Sequence, residues 1–110
     1  MGTATYNLIR DAILRKRVVS GWYEGHYREI CPHVIGLTSG REKVFAYQFG
    51  GTSSKELQPS GSEGNWRCFF VAEFRVDSIR FGKWRTTLHG ARNQKCVDAV
   101  DVEVTGDAKS

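Results

Sequence analysis

The chain has 110 residues, a formal net charge of +4, 40% hydrophobic and 25% charged residues, which describes one globular domain and excludes a disordered polyelectrolyte or a two-core protein. No apolar run approaches the ~20 residues of a membrane-spanning helix, and the first residues lack the basic-then-apolar order of a secretion signal, so no membrane partner is expected and the expected compartment is cytoplasmic. The mild basicity favours polyanionic partners, and its distribution is uneven: Arg15, Lys16 and Arg17 cluster, Arg75, Arg80, Lys83 and Arg85 alternate with aromatics, while Asp98, Asp101, Glu103 and Asp107 gather at the other end.

Residues 5–17 read as a helix, because Leu8, Ile9, Ala12 and Ile13 fall on one face with Arg10, Asp11 and Arg15 elsewhere. From Val18 the signals are those of strands between turns. Residues 18–23 are β-branched and aromatic, and Glu24-Gly25-His26 turns the chain. Residues 27–37 form a longer strand interrupted by Pro32, which predicts an edge or a bulge there. After the turn at 38–40, residues 44–49 alternate as a third strand. Residues 50–65 have the composition of a long exposed loop, of the kind that acts as a lid or simply moves. Strand-compatible sequence resumes at 66–74 and 75–81, with a shorter candidate at 84–88 and a last one marked by Val97, Val100, Val102 and Val104. One helix and a set of short strands predict a mainly β fold: a small, strongly bent sheet or partly open barrel of SH3-like or Sm-like type.

The three cysteines, Cys31, Cys68 and Cys96, are odd in number and widely spaced, which is no disulfide framework. Each is flanked by strand-like sequence and is expected to behave as a small buried hydrophobe, with one opportunistic disulfide left open.

Three stretches in combination resemble the WYL domain family. Tyr23-Glu-Gly-His-Tyr-Arg28 followed by Cys31-Pro-His-Val-Ile-Gly36 is similar to its "Y-x-G…R…x-P-x-x-L-G" opening. Val44-Phe-Ala-Tyr47 sits where the family has its naming strand, and Trp66-Arg-Cys-Phe69 resembles its later "R-x-F" strand. The likeness covers roughly residues 8–79. Glu42, Lys43 and Val44 stand in place of the Trp-Tyr-Leu signature, while Ala46-Tyr47 is kept. No helix-turn-helix precedes the helix, so the likeness is to a divergent, stand-alone unit. It implies an SH3-like or Sm-like barrel that senses a nucleic acid or nucleotide-like ligand, often in bacterial transcription control or antiphage defence.

Arg67 is the first candidate ligand residue. Alternation along the strand aims it opposite Trp66 and Cys68, and its planar fork suits a phosphate or carboxylate. The alternative is an internal ion pair with Glu73 or another acid. Arg28 and His33 are further donors, His33 following Pro32 where a bulge re-aims side chains; a histidine bonded within its strand pair is the bland reading. Tyr23, Tyr47 and Gln48 form a third tier, able to bond a phosphate or, for the tyrosines, to stack a base, against the ordinary alternative of core residues. Among Trp22, Trp66 and Trp84, the last is expected to be the most exposed, since Lys83 and Arg85 flank it.

Cys31, His26, His33, Cys68, His89 and Cys96 include no pair at zinc-ligand spacing, so no metal is expected. No phosphate-cradling glycine loop, dinucleotide fingerprint or nucleophile elbow occurs, which leaves no catalytic residue and no cofactor to name. The sequence therefore predicts a non-enzymatic module that binds a nucleic acid or nucleotide-like anion. A peptide-docking module lined by Trp22, Tyr23, Tyr27 and Trp66 is the alternative, as is a homodimer formed through the Pro32 edge.

Overall fold

The computed structural model of the protein describes residues 3–51, 65–82, 84 and 94–104. Helix α1 spans Ala4–Arg15. It starts at Thr3, whose extended backbone lets its hydroxyl accept the Tyr6 N–H at 3.2 Å, satisfying a donor that the first turn leaves open. It stops at Lys16, where a left-handed φ of 52° lets the Arg17 N–H reach the Ala12 carbonyl at 2.8 Å. That cap ends the helix two residues before the predicted boundary.

Six strands follow: β1 Val18–Tyr23, β2 His26–Thr38, β3 Arg41–Gly51, β4 Trp66–Phe70, β5 Arg75–Arg80 and β6 Ala99–Glu103. A 3₁₀ turn, Val71–Glu73, joins β4 to β5. All lie in one antiparallel sheet ordered β4-β3-β2-β1-β5, with β6 paired to β2. The path is open, so the fold is a mainly β, bent sheet with an N-terminal helix, not a closed barrel. Most of the predicted 50–65 loop and, apart from Trp84, the predicted 84–88 strand lie outside the described residues.

Strand β2 is the spine. Its first part, residues 26–30, pairs with β1 and its later part, residues 34–37, with β6, while β3 runs along the other side. A strand that changes partner midway must bend. Of the two expectations for Pro32, the structure has the bulge and not the edge, because Pro32 sits in this central strand. The sheet tolerates it through a register slip between Pro32 and Val34, where a missing N–H costs no regular ladder bond.

Two glycines permit close backbone approaches where the register shifts. The β1–β5 register shifts at Ser20/Gly21 and the β2–β6 register at Ile35/Gly36. A Cβ on Gly21 would collide with the Arg75 carbonyl and the Phe74 ring, and one on Gly36 with the Ala99 carbonyl and Val97. Only a residue without a side chain lets these backbones close up.

Both faces of the sheet are covered near its centre. On one, Ile9, Ala12 and Ile13 of α1 pack with Val19, Ile30, Ile35, Val44 and Phe69, all almost fully buried. Each such aliphatic contributes roughly 1.5–3 kcal/mol on leaving water, which is why a single-striped helix docks here. On the other face, Val18, Cys31 and Tyr47 pack with Phe49, Trp66 and Trp84, and Val34, Cys96 and Val97 pack with Phe45.

Cys68 of β4 is bonded to Cys96, ahead of β6, with Cα atoms 5.7 Å apart; Cys31 is a buried thiol outside that bond. The reading of all three as buried thiols is thereby corrected for two of them. Tertiary pairing places two residues 28 apart in sequence within bonding reach. Such bonds are rare in the reducing cytoplasm and common in oxidising compartments. No helix among the described residues is long and apolar enough to cross a membrane.

Candidate anion-binding site

The residues predicted to bind ligand divide between the two faces. Arg28, Gln48, Tyr23 and Arg67 belong to the layer on the helix side. Arg67 lies across from Ala46, a member of that core, and the Arg28 guanidinium lies 5.4 Å and 5.5 Å from the Tyr23 and Phe69 rings. His33, Tyr47 and Trp84 lie on the opposite face. The expected convergence of Arg28, Arg67, His33 and Tyr47 on one hollow is therefore not what the sheet builds. Alternation separates Tyr47 from Gln48, and it likewise puts His33, five residues beyond Arg28 on β2, in the outer layer.

The outer layer is aromatic packing. The His33 ring stands 4.7 Å from Trp66, edge-on, and 4.8 Å from Trp84. Its Nδ1 is 2.7 Å from the Cys31 carbonyl, and since a carbonyl only accepts, that nitrogen carries the proton. Phe45 stacks on Trp66 with ring centres 4.8 Å apart, and Tyr47, fully buried, meets Trp66 edge-on. Trp84 is half-buried, because it covers His33. The exposed tryptophan is instead Trp22, at 47%.

The helix-side group is different in kind. Arg28 is only 3% exposed. One Nη donates to Gln48 Oε1 at 3.2 Å and the other to the Tyr23 carbonyl at 3.3 Å. Its ion-pair partner, Glu24, is 3.8 Å away and itself largely exposed, so the charge is held mainly by neutral dipoles. Its Nε is buried with no hydrogen-bond partner among the described residues. Burial pushes the Arg28 guanidinium below its ordinary value, Glu24 works the other way, and the neighbouring positive charge of Arg67 pushes it down further. Burial also lowers Arg67, whose Nη1 donates to the Trp66 carbonyl at 3.1 Å.

Gln48 and Tyr23 fix this corner. The Gln48 amide spans from Arg28 to the Gly50 carbonyl, to which Nε2 donates at 2.9 Å, so its oxygen is turned toward the guanidinium. The Tyr23 hydroxyl accepts the Phe70 N–H at 3.1 Å, tying β1 to the end of β4. Burial raises its phenol above the usual range, so it stays neutral. Chemically, the corner offers two guanidiniums, one buried and one half-buried, a donor set for an oxyanion.

A cavity of about 270 Å³ lies elsewhere, between α1, β2 and β6, and is lined by Tyr6, Leu37, Glu42, Val100 and Asp101. Its two carboxylates repel anions. The Tyr6 hydroxyl donates to Asp101 at 2.6 Å and Arg10 Nε donates to the same oxygen at 3.0 Å, while Glu42 accepts from the Thr3 N–H and hydroxyl. These acids hold α1 to the sheet. Among the described residues no group of three or more His, Cys, Asp or Glu side chains is arranged to hold a metal ion. Comparison with family models, with characterised proteins and with solved structures returned no match to this chain.

Proposed function

We propose that the domain is a non-enzymatic receptor for a phosphate-bearing ligand, a nucleotide or the end of a nucleic acid, bound where Arg28 and Arg67 approach one another. The observation that carries this reading is the environment of Arg28. A buried guanidinium held mainly by neutral groups and one exposed carboxylate 3.8 Å away, with one N–H unpartnered among the described residues and the positive charge of Arg67 felt beside it, costs folding free energy that an anion returns on binding. Gln48 orients the fork, and Tyr23 braces the strand end beside it. The resemblance to WYL domains runs through Tyr23, Arg28 and Arg67, and it supplies the wider context of this proposal: ligand sensing in bacterial transcription control or antiphage defence.

The test is calorimetric titration with a nucleoside diphosphate, compared with the unphosphorylated nucleoside. A charge-assisted bond contributes about 1.5–3 kcal/mol, so Arg67→Ala is expected to weaken diphosphate binding roughly 10- to 100-fold while the far-ultraviolet circular dichroism is unchanged. Equal affinity of the variant and the parent, or equal binding of the bare nucleoside, would remove this site.

A further inference from the structure

The face of β5, β1 and the start of β2 that points away from α1 carries exposed aromatic and cationic side chains that the corner at Arg28 does not use. Trp22 is 47% exposed and meets Tyr27 edge-on at 5.1 Å. Directly across from Trp22 on β5 is the exposed Arg75. Across from Val18, at the other end of the same strand pair, is Arg80, whose Nη1 donates to the Ser20 hydroxyl at 2.6 Å. Beyond that end the Arg17 guanidinium lies 3.8 Å over the ring of Phe81, itself 76% exposed.

We infer that this face binds single-stranded nucleic acid by stacking bases on Trp22 and Tyr27 between arginines that meet the backbone. The spacing fits. Arg75 and Arg80 are five residues apart on one strand, roughly 16 Å at about 3.3 Å per residue, a span of a few nucleotides. The chemistry also fits, since bases present π-faces that stack on exposed rings whatever their sequence, while phosphates recruit guanidiniums. Charge selects this partner over an apolar peptide. Arginines stand at both ends of the strip on a chain of net charge +4; of the acids beside them, Glu29 lies 3.6 Å from Arg80, and Asp77 accepts from the Tyr27 hydroxyl at 3.4 Å. Arg75 has no ion pair among the described residues, which leaves it available to a phosphate. The surface is on the opposite side of the sheet from Arg28 and Arg67 and does not depend on the reading given to them.

The probe is a fluorescein-labelled oligothymidylate of about 12 nucleotides without a 5′-phosphate, followed by anisotropy at several salt concentrations. Trp22→Ala is expected to weaken binding about 10-fold or more and Trp22→Phe to restore most of it. Arg75→Gln should make the log–log salt slope shallower by about 0.7. Both side chains are exposed, so the variants fold, and circular dichroism checks this. Arg67→Ala should leave oligothymidylate binding unchanged, which separates this surface from the phosphate corner. Unaltered affinity of Trp22→Ala, or binding insensitive to salt, overturns the inference, the latter in favour of a peptide partner.

Discussion

Opening the Cys68–Cys96 bond is the most direct probe of how the chain is held together. The bond closes a loop of 28 residues, and removing such a cross-link from the unfolded ensemble releases about 12 cal/mol/K, or about 3.6 kcal/mol at 25 °C. Native contacts do not offset that gain in the unfolded state, because the segment ahead of β6 keeps its other anchors. Gln94 Oε1 accepts from the Cys96 and Val97 N–H groups at 2.8 Å, Gln94 Nε2 donates to the Val97 carbonyl at 2.7 Å, and the Thr38 hydroxyl donates to the Cys96 carbonyl at 2.8 Å. The reduced protein therefore folds but is weaker. For a domain of this size, with a urea slope of about 1.5–2 kcal/mol per molar, the midpoint should fall by about 2 M with dithiothreitol or in Cys68→Ser/Cys96→Ser. Alkylation of the unreduced, denatured chain should label Cys31 alone, and all three cysteines after reduction. Coincident urea midpoints, or three thiols labelled without reductant, would refute the reasoning.

Other perturbations test the frame around the site. Gly36→Val should destabilise by at least about 2–3 kcal/mol in urea unfolding, since the new side chain meets the Ala99 carbonyl and Val97 where β6 joins β2. The Tyr6–Asp101 contact predicts a pH dependence at both extremes. The Tyr6 hydroxyl and Arg10 hold the Asp101 carboxyl below its ordinary value, so its stabilisation is present above about pH 4 and lost as pH falls below that. Burial and Asp101 push the Tyr6 phenol well above its ordinary value near 10, so its contribution is intact below about pH 10 and lost as pH rises beyond it. Asp101→Asn should flatten the acid limb of a melting-temperature profile.

Much of the local structure was legible in the sequence. The apolar spacing of Ile9, Ala12 and Ile13 marked the docking face of α1, though Leu8, expected on that face, is exposed and Tyr6 is buried in it; the run from Val18 to Tyr23 matched β1 to the residue, and Gly25 and Gly40 marked two turns whose positive φ they supply. Alternation also aimed Arg67 away from Trp66 and Cys68, as the structure has it. It equally set Tyr47 apart from Gln48, and Arg28 apart from His33 five residues on, so the split of the candidate site lay within reach of the same rule; supposing that the Pro32 bulge re-aimed His33 obscured it. The exposure of Trp22 had a weaker signal, its position on the face opposite Val19 and Tyr23.

Local sequence thus determines which residues curl into a helix, which extend and which way each side chain points along its own strand, because those preferences act over a few bonds. The partners across the sheet follow from tertiary packing alone. That β2 lies at the centre despite Pro32, that Cys68 meets Cys96, and that Arg28 and Arg67 fall on the same face of the sheet all depend on residues tens of positions apart settling into one register, where burial and hydrogen bonding offset the entropy of closing long loops.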